Sequence, residues 1–373
     1  MNYEVKNIKI LSFLYFFFVA LVFFQLNIFP GGRYFITFIV IFTLFVFFVF
    51  YGFNWNFNDT LYLLGFIIIA YGLVDTSATS VYLAISKVIF MFLAFITFKY
   101  IRINNNGLQI FAFNSIAVLV LSIDLFYRVN QWGVSELVNV IKLNFYLLKV
   151  DSIIFSDTNG VGYFCIILIA INFLFHDFMS KKIFRMIIFV YLFFVVLSFS
   201  RAAIFSYLVV LFLYVLYNYR LRINNFHFIA FLLLFSSLLL FFLVLDYSYI
   251  LSLIESDGSG ATKLHIFEQI YNKFGMNLYN DIFGYGYSVG ATYYGFSDGK
   301  YAHAAIPLLL GQTGLIGLLS YIFMVLFPLL KNKMYFFGFI GIFIVSFSYL
   351  EVYYETLFVF LGLSLNKELN KGK

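Results

Sequence analysis

Apolar runs of roughly membrane-crossing length follow one another almost from end to end of this chain. They fall at Ile10–Phe29, Tyr34–Phe53, Leu61–Val74, Val81–Phe98, Leu108–Phe126, Gly160–Phe175, Met186–Ser200, Ala202–Tyr217, Phe228–Leu245, Ala304–Leu330 and Tyr335–Leu350, with a shorter run at Thr356–Leu365. About 20 apolar residues in a helix span the hydrocarbon core of a bilayer. There a backbone N–H or C=O finds no water, so each run must satisfy its own groups as a helix. The short alternating strands of a membrane barrel are absent. Composition agrees: 64% of residues are hydrophobic and 11% charged, where a soluble domain is about a quarter charged. The expected fold is an all-α polytopic integral membrane protein with about 10–12 transmembrane helices.

Charge sets the expected orientation. With the N-terminus in the cytoplasm and spans alternating, Lys6, Lys9, Lys99, Arg102, Lys181, Lys182, Arg185, Arg220, Arg222, Lys331, Lys333, Lys367, Lys371 and Lys373 fall on the cytoplasmic side. Most acids fall on or near the other side, as basic retention predicts. The first run follows Lys6 and Lys9 without a small-x-small cleavage pattern and reads as an uncleaved span. Two outer segments are long, Tyr127–Asn159 and Asp246–His303; long connections are commonly functional. The organisation expected is N-terminal helices over 1–126, a first outer loop over 127–159, central helices over 160–245, a large outer loop over 246–303, and C-terminal helices with a cytoplasmic tail over 304–373. The net charge of +6 sits in short loops, so orientation explains it and nucleic acid is not implied. The single cysteine, Cys165, lies in an apolar run and excludes an internal disulfide.

Few polar residues remain to carry chemistry. His303 opens the run HAAIPLLLGQTGLIG. A helix starting there puts Pro307 in its first turns, and Gly311, Gly314 and Gly317 permit close helix contact. An imidazole at that boundary is a candidate general base; the plainer alternative is a histidine bonded to a loop carbonyl. Arg201, in LSFSRAAIF, falls at an outer turn between two runs. Its fork suits a diphosphate, or it snorkels to headgroups. Arg128 and Lys149 add cations from the first outer loop, and Lys263 from the second. Asp157 and Asn159 precede a helix start, where Asp157 is equally a ligand or an N-cap. His176, His227 and His265 are scattered, and no metal-binding spacing, Walker loop or dinucleotide fingerprint occurs. Lys87 is the main charge inside a span. No internal repeat of the kind many transporters carry is visible.

Together the stretches DLFYRVNQW, FYLLKVDSIIFSDTNGVGYF, LSFSRAA, SGATK, GYGYS and HAAIPLLLGQTGLIGLL, from Asp124 to Leu319, resemble the superfamily of O-antigen polymerases (Wzy) and O-antigen ligases. In that family a serine–arginine pair ends one span, here Ser200–Arg201. A histidine opens the helix after the largest periplasmic loop, here His303, with a Gly-x-x-Gly following, here Gly314 and Gly317. Tyr127–Arg128, Tyr146–Lys149 and Asp157–Asn159 look more like polymerases than ligases. Two positions depart: Lys263 stands where an arginine often follows a serine, and Ala304 where asparagine often follows the histidine.

The resemblance implies a metal-independent glycosyltransferase of the bacterial inner membrane, without cofactor and active on the periplasmic face. The donor would be a glycan on undecaprenyl diphosphate and the acceptor a repeat unit on the same carrier. His303 and Arg201 would be catalytic, and Arg128, Lys149, Lys263, Asp157 and Asn159 would bind substrate. A chain-length-regulating co-polymerase is the partner the family implies, besides membrane lipids. The alternatives are an O-antigen ligase transferring glycan to lipid A–core, a lipid-linked oligosaccharide flippase, and a purely structural membrane partner.

Overall fold

A computed structural model of the chain describes residues 55–74, 78–100, 107–131, 152–153, 158–218, 258–295, 304–347 and 355–370. The runs Ile10–Phe29, Tyr34–Phe53 and Phe228–Leu245 lie outside them. All regular structure among the described residues is helical. In chain order the helices are α1 (Phe57–Gly72), α2 (Ala78–Tyr100), α3 (Gly107–Gln131), α4 (Thr158–Leu174), α5 (Lys181–Leu197), α6 (Arg201–Asn218), α7 (Gly258–Lys273), α8 (Leu278–Phe283), α9 (Tyr287–Tyr293), α10 (Ala305–Leu326), α11 (Tyr335–Ser346), α12 (Glu355–Ser364) and α13 (Lys367–Asn370). Among the described residues, two stretches, Gln109–Gln131 and Ala305–Leu330, are long and apolar enough to cross a membrane.

The helix at the centre is α4. Between Gly162 and Ile171 it has no polar face apart from Tyr163, and a helix that is apolar all round must be surrounded. Every α4 residue but Asn159 is buried. Helices α5, α6, α11 and α12 pack on it. Towards α3 the contact is polar: Asn114 and Asn172 exchange amide hydrogen bonds at 2.9 Å each way, and the Tyr191 hydroxyl of α5 donates to Asn114 Oδ1 at 2.8 Å. Within an apolar bundle each such bond contributes about 0.6 kcal/mol, and here they also fix the register of three helices.

That register sorts the helix ends. Asn114 lies near the start of α3 and Asn172 near the end of α4, while Arg128 at the end of α3 and Gly162 near the start of α4 both meet the chain where α5 turns into α6, so the two run antiparallel. The end of α3 therefore stands level with the start of α4. Helix α11 is antiparallel to α4 as well: Gly338 meets Ala170 while Gly341 meets Ile166. Its last residues thus approach the end where α4 begins, and the start of α10 lies beside them across a shared groove. At the opposite end Lys99 of α2 pairs with Asp59 of α1, which also accepts from the Tyr100 hydroxyl. There too Asn366 Nδ2 donates to the Phe98 carbonyl at 3.0 Å. Lys181, Lys182, Arg185, Lys331, Lys333 and Lys367 belong to that basic end, and Arg128 and Arg201 to the other. Among the described residues, these cations therefore stand at two opposite ends of the bundle.

The segment before α10 does not simply cover its end. Helices α8 and α9 descend beside α10 as far as Gly314, nine residues in, or about 13 Å at 1.5 Å per residue. Backbone geometry permits it. Gly314 leaves the helix at φ 66°, ψ −175°, breaking α10 and freeing carbonyls of the preceding turn. The Gly311 carbonyl accepts from Tyr285 N at 2.9 Å and the Gln312 carbonyl from Gly286 N at 3.3 Å. Gly290 and Gly311 meet backbone to backbone, and a Cβ on Gly72 would lie 2.6 Å from Thr313 Cα.

Candidate functional site

The turn between α5 and α6 is short and strained. Ser198 ends α5, its Oγ donating to the Val195 carbonyl at 2.6 Å. Phe199 follows at φ 51°, the only non-glycine residue with positive φ among those described. Glycine usually ends a helix in this way, and a side chain there costs about 1–2 kcal/mol. Ser200 caps α6 by accepting from Ala203 N at 3.4 Å. Arg201 is consequently the first residue of an 18-residue helix and is exposed. A cation at the positive end of a helix dipole opposes stability, whereas cation and helix end together favour an anion.

The turn is pressed against the start of α4. A Cβ on Gly162 would come within 2.8 Å of Ser200 Cβ and of Ala203 Cβ, so only glycine lets the two approach. Asn159 lies in the first turn of α4, half-buried. Arg128 comes to the same corner from α3, which continues to Gln131 and so includes Tyr127 and Arg128. Its side chain is 0% exposed. Arg128 Nε donates to Asp124 Oδ2 at 2.8 Å and Nη1 to the Leu197 carbonyl at 2.7 Å, while Nη2 has no partner. Asp124 Oδ1 also accepts from Ser152 Oγ at 2.5 Å and Ile153 N at 3.0 Å.

At the same end of the bundle, the descending segment is organised by Asp281, which is buried. Its carboxylate accepts from Tyr285 Oη at 2.9 Å, Tyr294 Oη at 3.0 Å and Gly275 N at 2.7 Å. Burial pushes both phenols above their ordinary value, and the bonds to Asp281 push the same way. Lys273 Nζ donates to the Tyr293 carbonyl at 2.8 Å. Lys87 donates to Tyr287 Oη at 2.8 Å, so the charge noted inside a span reaches this segment. Gln312 Nε2 donates to the Tyr287 carbonyl at 2.7 Å.

An apolar cavity of about 190 Å³ opens where α10 starts. Ala304, Pro307, Tyr321, Phe339, Phe343 and Phe347 are among its lining residues. It follows the seam between α10 and α11.

Of the residues singled out in the sequence, Arg128, Asn159 and Arg201 are gathered at one corner. Ala304, the neighbour of His303, stands at the same end of the bundle. Lys263 is carried by α7. Lys149, Asp157 and His303 lie outside the described residues. Sequence reasoning missed Asp124 and Asp281. The spacing of DLFYR held the signal for the first, since an acid and a base four apart on a helix face one another. Nothing local marked Asp281, whose partners come from three turns of chain. Among the described residues no three His, Cys, Asp or Glu side chains gather to hold a metal. Compared with models of protein families, with curated proteins and with solved structures, the chain finds no match in any of the three.

Proposed function

We propose that the chain is an O-antigen polymerase: a polytopic enzyme of the bacterial inner membrane that joins lipid-linked repeat units on the periplasmic face. The observation that carries the reading is the shared end. A strained turn presents Arg201 on a helix N-terminus, and the helix after the second long segment begins beside an apolar groove at that same end. The outward faces support the membrane reading. Phe111, Phe189, Phe205 and Leu208 are each more than half exposed, which suits lipid and not water.

In this mechanism the His303 imidazole accepts the proton of the acceptor's attacking hydroxyl. The oxygen of that hydroxyl bonds to the anomeric carbon of the donor glycan as the bond from that carbon to the diphosphate breaks. Undecaprenyl diphosphate leaves with the electron pair, and Arg201 with Lys149 and Lys263 stabilises its charge. Asp157 and Asn159 contact the sugar. The apolar groove at Ala304 suits the isoprenoid tail, since its walls are aliphatic and aromatic. The resemblance also assigns Arg128 to the diphosphate, but its burial against Asp124 supports a positioning role.

The test is a lipopolysaccharide gel from a strain lacking the gene, complemented with wild type, His303→Ala or Arg201→Ala at matched membrane levels. A single repeat on core without the gene, and a ladder restored by wild type alone, is the expected result. Core without any repeat would point instead to a ligase or a flippase. A full ladder from both variants would remove the proposed site.

A further inference from the structure

Arg128 has the chemistry of a phosphate ligand and the surroundings of a structural one. Its side chain exposes no surface. Asp124 neutralises it through Nε, and Nη1 is spent on the last carbonyl of α5. The register set by Asn114 and Asn172 puts Arg128 of α3 level with Thr158 of α4, fourteen residues along each helix in opposite directions. The guanidinium thus sits inside the corner where α3 ends, α4 begins and α5 turns into α6.

The bonds on either side of this pair are distributed in one direction each. Asp124 holds Ser152 and Ile153, the chain that leads through Asp157 into α4. Arg128 holds Leu197, four residues before Arg201. Ser200 and Ala203 of that turn are in turn seated on Gly162. One carboxylate and one guanidinium therefore tie the end of the first long outer segment to the strained turn that presents Arg201.

We propose that Asp124 and Arg128 form a positioning latch, which fixes the Arg201 turn against the chain entering α4 and makes no contact with substrate. This rests on the polymerase reading for its effect on turnover, and on the fold alone for its effect on local order. A latch and a diphosphate contact predict opposite things for Asp124. If Arg128 bound the diphosphate, removing the competing carboxylate would free its charge and tighten donor binding. If the pair is a latch, removing either partner misplaces the same turn. A misplacement of about 1 Å costs roughly 10²-fold in rate.

The experiment compares wild type, Asp124→Asn, Arg128→Gln, the double variant and Ser152→Ala in reconstituted membranes. Initial rates are read against the concentration of lipid-linked repeat unit, with hydrogen exchange on the same preparations. Both single variants should lower kcat about 10²-fold with KM nearly unchanged. The double variant should be no worse than the poorer single, because the two act as one unit. Ser152→Ala removes one hydrogen bond to a charged acceptor without unpairing a buried charge, and should cost roughly tenfold in kcat. In all of them, peptides containing Ser152–Ile153 and Ser198–Ala203 should exchange faster while the middle of α4 stays protected.

A raised KM in Arg128→Gln with a lowered KM in Asp124→Asn would overturn the latch in favour of a direct anion contact. Loss of protection throughout α4, with Ser152→Ala indistinguishable from wild type, would reduce the pair to ordinary fold stability and overturn it too. Failure of the polymerase reading looks different. Wild type would then make no polymer, while the exchange measurement would still decide whether the latch exists.

Discussion

The chain is drawn together twice at the same end of the bundle, by opposite means. Around Arg128 the contact is made by what side chains supply: a charge, its counter-charge, and four hydrogen bonds reaching three segments. Around Gly314 it is made by what side chains leave out. Gly72, Gly284, Gly290, Gly311 and Gly314 let α1, the α8–α9 segment and α10 meet backbone to backbone. The first corner should suffer most from the loss of a partner. The second should suffer most from an added methyl group.

Substitution at the glycine corner should therefore give the largest effect. Gly284 sits at φ 103°, ψ 157°, a conformation almost confined to glycine. A Cβ there would land on the Gln312 carbonyl oxygen. Gly284→Ala should cost more than about 4 kcal/mol, read as a collapse of the thermal midpoint of the purified protein. A midpoint within a few degrees of wild type would contradict this steric exclusion.

At the ionic corner Arg128→Gln should cost about 3 kcal/mol, since it strands a buried carboxylate. The double variant Asp124→Asn, Arg128→Gln should be milder than the single, because no unpaired charge remains. The same thermal measurement checks both, and a double variant worse than either single would contradict the pairing.

The phenols on Asp281 sharpen the contrast by pH. Both are raised above the ordinary value of 10.0, by burial first. A folded value above the unfolded one means that their contribution is fully present below about pH 10. It is lost as pH rises through the folded values. In a difference titration of wild type against Tyr285→Phe and Tyr294→Phe, the tyrosinate absorbance of both phenols should appear only well above about pH 10. Asp281→Asn should lower that onset only in part, because burial is the larger cause.

The smallest effect belongs to Gly275. It too has positive φ, 95°, but a Cβ there would meet nothing within 4 Å. Gly275→Ala should cost only about 1 kcal/mol, the conformational term alone. Gly275→Ala and Gly284→Ala together separate backbone strain from steric exclusion.

How much was legible in the sequence varies with the kind of contact. The end of α5 and start of α6 at Ser200–Arg201 were readable, because a polar pair interrupting two apolar runs has to sit at a helix boundary. The start of α10 near His303, with Pro307 in its first turn, was readable for the same reason. The three glycines of α10 were expected to allow close contact, and Gly311 does so against Gly290. That Gly314 breaks the helix was not foreseeable, since glycine inside an apolar run is compatible with an unbroken one. Arg128 was identified as a cation of the outer end but not as a buried one. The sequence shows that it follows Asp124 by one turn, and not that α4 and α5 close over both.

Although the three helices within 258–293 read as loop, the amino-acid order alone makes the described chain helical and interrupts its long apolar helices near the polar breaks. Those properties follow from local rules: apolar length, the need of each backbone group for a partner, and the spacing of polar breaks. Packing makes α4 the enclosed centre, brings residues 278–293 down beside a broken α10 and turns Arg128 inward on Asp124. Each of these depends on which surfaces meet. An apolar residue is the same letter whether it faces a neighbouring helix or lipid, and a glycine is the same letter whether it bends or merely yields space.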